Sequence, residues 1–138
     1  MDIYEVVGAA LEVYNTLGRG MAEAIYQEAL AVEMDKRNMT AEREKLLQLH
    51  YKDVILKKEY YADFYYKGIL IELKSVSEII PDHRAQLFNY MRITKNYRGI
   101  LFNFGEESLY TERYLYIPQY DDFVMLNHDN YKDYITDN

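Results

Sequence analysis

Tyr60–Val76, YYADFYYKGILIELKSV, is the stretch whose reading decides the fold. Two apolar-rich runs flank Lys67-Gly68. A glycine between aromatic and β-branched runs, with two residues to turn in, marks a β-hairpin. With Lys67 and Gly68 as the turn, antiparallel pairing sets Tyr66 opposite Ile69, Tyr65 opposite Leu70, Phe64 opposite Ile71 and Asp63 opposite Glu72. Side chains alternate along a strand, so Asp63, Glu72 and Lys74 share one face. Phe64, Tyr66, Ile69, Ile71 and Leu73 share the other, which reads as a core face. Like charges directly opposed across a ladder destabilise it unless a cation lies between them. Lys74 is one such cation. A divalent metal is another, since a pair of carboxylates plus water is an ordinary oxygen-donor set. The plainer reading of the same residues is a solvated salt-bridge cluster on the wet face of a sheet.

The rest of the chain supplies helices for this hairpin. Ile3, Val6, Val7, Ala10, Val13, Tyr14 and Leu17 form an i, i+3, i+4, i+7 stripe, which predicts an amphipathic helix over Asp2–Leu17. Gly18-Arg19-Gly20 ends it. A second helix is expected from about Met21 to Arg37, with Ile25, Ala29, Val32 and Met34 inward and Asn38 as C-cap. Thr40–Tyr51 reads as a first strand, Val54–Lys67 as a second with a bulge near Glu59, and Gly68–Val76 as a third. Asp82 reads as the N-cap of a third helix running from His83 to about Lys95. Tyr97–Phe104 reads as a buried strand and Ser108–Ile117 as an edge strand. The expected order is ααβββαββ in a single domain over 1–117, followed by an acidic, Tyr- and Asp-rich tail over 118–138. That tail would dock through Tyr120, Phe123, Val124, Met125 and Leu126.

A chain of 138 residues, 49% hydrophobic, can bury one real core but not two. It has no cysteine, which excludes disulfides, thiolate metal sites and thiol catalysis. Met1-Asp2-Ile3-Tyr4-Glu5 has neither the basic leader nor the apolar core of a signal peptide, and no apolar run is long enough to span a bilayer. A cytoplasmic protein is the expectation. The net charge of −7 counts against a simple electrostatic nucleic-acid binder. The acidity lies at the ends, however. Between Lys36 and Arg98 stand 13 Lys and Arg against 8 Asp and Glu, net +5, whereas 118–138 holds five Asp and one Lys, net −4. Local field matters more to a polyanion than total charge.

Three further stretches carry a resemblance. Gly20-Met21-Ala22-Glu23-Ala24-Ile25-Tyr26 is similar to the signature of the GxxExxY proteins, a family within the PD-(D/E)XK nuclease superfamily. His83–Tyr90, with Gln86 and Tyr90 in a QxxxY arrangement, resembles that family's helix. Gly99–Phe104 resembles its late strand, and Ile71–Val76 its Glu-x-Lys strand. The resemblance runs in order from about Val6 to Phe104. Tyr14 and Arg19 stand where the family often has His and Pro.

The resemblance implies an α/β fold with a PD-(D/E)XK nuclease-like core, a mixed central sheet flanked by helices. It implies a Mg²⁺- or Mn²⁺-dependent phosphodiesterase acting on nucleic acid, DNA ahead of RNA. Asp63 and Glu72 would be metal ligands, joined by the Leu73 carbonyl and by Glu23, directly or through water. Lys74 would orient or help deprotonate the attacking water, and Gln86 would fix that water or a ligand. Tyr26 and Tyr90 would support the site. Such chemistry suits these residue types: a carboxylate-held metal supplies an electrophile and an activated water together, and a lysine beside it adds positive charge for the transition state. Lys57, Lys58, Lys67, Arg84, Arg92, Lys95 and Arg98 are candidate phosphate contacts. His50 and His128 have no partner pattern. No membrane partner is expected, and a homodimer is left open. The competing function is a non-catalytic nucleic-acid- or protein-binding module on a nuclease-like fold.

Overall fold

Lys67 and Gly68 both have positive φ, 47° and 82°. This is the mirror-image turn that matches the twist of a two-residue hairpin, and glycine enters it without steric cost. The turn joins β2 (Val54–Tyr66) to β3 (Ile69–Lys74), and the pairing is Tyr66 with Ile69, Tyr65 with Leu70 and Phe64 with Ile71. The computed structural model describes residues 2–127 and Asn130; His128 lies outside them, as does most of the expected tail's second half. The remaining elements are α1 (Asp2–Leu17), α2 (Glu23–Lys36), β1 (Glu42–Tyr51), α3 (Pro81–Thr94), β4 (Arg98–Asn103), β5 (Tyr110–Ile117) and β6 (Asp122–Met125). They form a mixed α/β architecture around one six-stranded sheet in the order β1-β2-β3-β4-β5-β6. Only β3 and β4 are parallel, joined by the α3 crossover; the other neighbours are antiparallel.

Both faces of the sheet are covered. On one, Phe64, Tyr66, Ile69, Ile71, Leu73, Ile100 and Phe102 pack with α1 and α2 through Val6, Ala10, Val13, Tyr26 and Leu30. On the other, Leu70, Leu101, Tyr114 and Tyr116 pack with α3 through Leu87, Tyr90 and Met91. The centre of β3 is therefore buried on both sides, as suits a strand with a parallel neighbour and helices on each face. The sequence reading gave Glu72 a wet face. The structure places it under α3, only 5% exposed, so the solvated salt-bridge reading does not hold.

Four further expectations are corrected. Of the residues expected inward on α2, Met34 is buried and Ala29 packs half-buried against the core, but Ile25 and Val32 are exposed; the buried stripe is Tyr26, Leu30 and Met34, one helical turn apart. Arg37 takes the C-cap place expected for Asn38, which follows it at positive φ. α3 starts two residues earlier than a cap at Asp82 would allow: Pro81 occupies its first position, and the Ile80 amide donates to His83 Nδ1 at 3.1 Å. β5 is not an edge strand. After a 3₁₀ turn over Pro118–Tyr120 and a left-handed Asp121, β6 returns along it, with Tyr116 opposite Phe123. Phe123 then stacks on Phe88 and Tyr116 at ring separations of 4.2 and 4.6 Å. Residues 122–125 are thus part of the sheet, while Tyr120 is 75% exposed. Near Glu59 the β1–β2 register shifts between Gln48 and His50, where the bulge was expected. Beyond that point the ribbon stands clear of the helices, with Tyr51, Val54 and Ile55 exposed.

Candidate functional site

The β2–β3 ladder ends at Phe64 and Ile71, and the two acids take over where it stops. The Asp63 amide donates to Glu72 Oε1 at 3.1 Å. The Leu73 amide donates to Asp63 Oδ2 at 2.8 Å. Each carboxylate thus satisfies a backbone donor that the ladder would otherwise leave open. The second Asp63 oxygen, Oδ1, accepts from Gln27 Nε2 on α2 at 2.9 Å. Gln27 in turn accepts from Arg43 Nε on β1, also at 2.9 Å. A side-chain bridge from β1 through α2 therefore fixes Asp63 from outside the hairpin.

Lys74, at the end of β3, reaches α3. Its Nζ donates to Gln86 Oε1 at 3.3 Å, and Gln86 Nε2 donates to the Tyr90 hydroxyl at 3.0 Å. Gln86 and Tyr90 are one turn apart on a helix, so both face the sheet together. Burial pushes the Tyr90 hydroxyl above its ordinary pKa, and the charges of Glu72 and Asp63 push the same way. Burial also pushes Glu72 well above the usual carboxylate range; the neighbouring Asp63 charge adds to this, and Lys74 opposes it. Asp63, Glu72, Lys74, Gln86 and Tyr90 therefore form one electrostatic group, drawn from β2, β3 and α3.

Two of the expected site residues stand elsewhere. Glu23 is the first residue of α2, exposed, and hydrogen-bonded to none of these groups. Among the described residues no three acidic or imidazole side chains come together in a way that could hold a metal. It is Gln27, one turn further along α2, that reaches Asp63. Tyr26 braces a loop instead of an acid: its hydroxyl donates to the Gly18 carbonyl at 2.7 Å and accepts from the Met21 amide at 3.1 Å, and its ring stacks on Phe104 at 4.3 Å. That loop is tied to the strand ends by Gly20 N to the Phe104 carbonyl at 3.1 Å, and by the Ser75 hydroxyl to the Met21 carbonyl. Four of the candidate phosphate contacts are engaged elsewhere. Arg84 pairs with Glu112, Arg92 with Asp121, and Lys67 and Arg98 with Asp2.

Sequence reasoning missed Gln27 and Asn103. Asn103 is fully buried at the end of β4. Its Oδ1 accepts from the Val76 and Gly105 amides, both at 3.0 Å, and its Nδ2 donates to the Val76 carbonyl at 3.0 Å and to Glu106 Oε2 at 2.7 Å. It fastens the chain just beyond Lys74. A Cβ on Gly105 would lie 2.0 Å from the Val76 carbonyl oxygen, so only glycine allows this approach. Helical spacing from Glu23 was the one signal that pointed to Gln27; nothing in the pattern pointed to Asn103.

The donor set is two carboxylates, one of them buried, and a half-exposed lysine. Mg²⁺ takes hard oxygen ligands and commonly keeps several waters beside one or two carboxylates, so this pair fits such an ion. Two opposed carboxylates of which one is desolvated are also the arrangement a cation would relieve.

The family model of the PD-(D/E)XK nuclease superfamily matches residues 2–114. No curated protein matches the chain. Among solved structures, the crystal structure of SSO0001 is similar, with a TM-score of 0.51 and 22% identity, over 65% of this chain and 48% of that one. This chain spans about half the length of that protein, and the likeness is one of fold.

Proposed function

The chain belongs to the PD-(D/E)XK nuclease superfamily, which suggests nuclease activity, and on that premise we propose that it hydrolyses phosphodiester bonds of nucleic acid, DNA ahead of RNA, at Asp63, Glu72 and Lys74. The observation that carries this reading is the convergence on one spot of a buried Glu72, an Asp63 fixed through both oxygens and a Lys74 held by Gln86. Within the superfamily, the Gly20–Tyr26 signature favours the GxxExxY proteins.

Asp63 and Glu72, with the Leu73 carbonyl, would hold Mg²⁺ or Mn²⁺, and Glu23 would join through water. When bound, the ion supplies an electrophile for the phosphoryl oxygens and an acidified water. Lys74 orients the attacking water and lends positive charge to the phosphorane-like transition state. Gln86 fixes the direction of the Lys74 amine, and Tyr90 fixes Gln86. Overall, the water oxygen bonds to phosphorus, the bond to the leaving oxygen breaks, and that oxygen takes up a proton. The products are a phosphate monoester and a free hydroxyl.

The test is cleavage of labelled DNA and RNA, each as single strand, duplex and branched junction, in Mg²⁺, Mn²⁺ or EDTA. The expected result is product with either metal and none in EDTA. Intact substrate throughout would contradict hydrolysis and favour a non-catalytic module, a reading to which the net charge of −7 lends weight.

A further inference from the structure

A groove of about 500 Å³ runs between the β1–β2 ribbon and α3, beside the candidate site. Leu49, Tyr60 and Ile93 give it apolar walls. Gln86 and Tyr90 belong to both the groove and the site. The Tyr60 ring lies 5.8 Å from the Tyr90 ring, tilted by 54°, and Lys58 Nζ sits over it, 5.6 Å from its centre. Asn89 and Asp82 add polar groups to the lining. A half-buried aromatic ring, amide side chains and neighbouring lysines together make up a base-stacking platform with a charged approach.

We infer that this groove takes an unstacked base of a single-stranded nucleic acid, next to the bond cleaved at Lys74. The inference rests on the proposed hydrolysis and specifies its substrate. Its volume lies in the range of small-ligand pockets, larger than one base needs. A paired base has both faces covered by its neighbours and cannot reach Tyr60 without leaving the stack. Lys57 and Lys58 are both exposed on the ribbon, three and two residues before Tyr60, and would meet the adjoining phosphates. Unlike Arg84, Arg92 and Arg98, they have no acidic partner among the described residues.

The test uses the full chain in EDTA, so that binding is read apart from hydrolysis. Fluorescence anisotropy is measured with a short labelled oligothymidylate, with an all-abasic strand of equal length and with a blunt duplex. The oligothymidylate is expected to bind at least about fivefold tighter than the abasic strand, the smallest effect of losing one stacked base. Tyr60→Ala should remove that difference and leave duplex binding unchanged, while Tyr60→Phe should keep it. Equal affinity for thymidylate and abasic strands overturns the inference, and that comparison needs no variant to fold. A preference for the duplex overturns it too. A base preference without metal-dependent cleavage would contradict the hydrolysis and leave the groove standing. Equal cleavage of the oligothymidylate, the abasic strand and the duplex would do the reverse.

Discussion

Both carboxylate oxygens of Asp63 are engaged by neighbours, Oδ1 by Gln27 and Oδ2 by the Leu73 amide. Only one of these bonds comes from the hairpin; Gln27 belongs to another layer. Outer partners that orient a ligating carboxylate typically matter by about 10- to 100-fold in metal affinity or rate. Gln27→Ala should therefore lower cleavage by roughly tenfold or more, with the protein still folded. Gln27→Glu should do worse, because it puts a third negative charge beside Asp63. Single-turnover rates alongside far-ultraviolet circular dichroism check this, and wild-type rates in both variants would exclude a positioning role. Asp63, Glu72 and Lys74 were legible in the sequence because a hairpin turn fixes which residues lie opposite. Gln27 and Asn103 were not. A lone polar residue has no period, and its partners are 36 and 27 positions away.

Among the elements, α3 is held to the sheet by more than apolar packing. Arg84 grips Glu112 on β5 with two bonds of 2.8 and 2.7 Å, and the hydroxyls of Tyr110 and Tyr114 donate to the same carboxylate. Burial pushes the Glu112 pKa up, but these donors outweigh it and hold the pKa below the usual value. A depressed folded-state pKa stabilises the fold above the unfolded pKa, about 4.3 for Glu, and that stabilisation is lost as the pH falls through the folded value. Glu112→Leu leaves Arg84 and two tyrosines without their acceptor and should cost about 3 kcal/mol at neutral pH. The difference from wild type should shrink as the pH falls below about 4. Urea midpoints at both pH values check the sign; a difference that grows in acid would contradict it. The same scale shows what patterning can carry. The α1 stripe and the Lys67–Gly68 turn were readable because each has one dominant solution. α2 was misread at Ile25 and Val32 because apolar residues surround it: with Ala29 they make as good a stripe on paper as Tyr26, Leu30 and Met34. Only the sheet beneath, through Phe104 and the α1 contact, decides between them. β6 was hidden by its setting, since Asp121 and Asp122 before Phe123 read as the start of an acidic tail that docks through its apolar residues and not as a strand.

At the scale of the molecule, the layers bring β3 and α3 together so that Lys74, Gln86 and Tyr90 meet over a buried Glu72. The order of elements as far as β5 and the position of the hairpin were legible, and the parallel β3–β4 pair is what a crossover helix between two short apolar strands produces. Covering of the acid-bearing face was not legible. Alternation along β2 and β3 tells which residues share a face, but whether a later helix lies on it depends on how the crossover packs. The net charge of −7 does not bear on this arrangement, because the basic stretch from Lys36 to Arg98 contains the whole group. The measurement that bears on it most directly is metal-dependent hydrolysis of one cleavable substrate by wild-type protein, Glu72→Gln and Lys74→Ala, each shown to be folded. Both variants are expected to fall by at least about a hundredfold, the size of effect that follows loss of a transition-state electrostatic contact. Wild-type rates in both would mean that the phosphodiester is broken somewhere else.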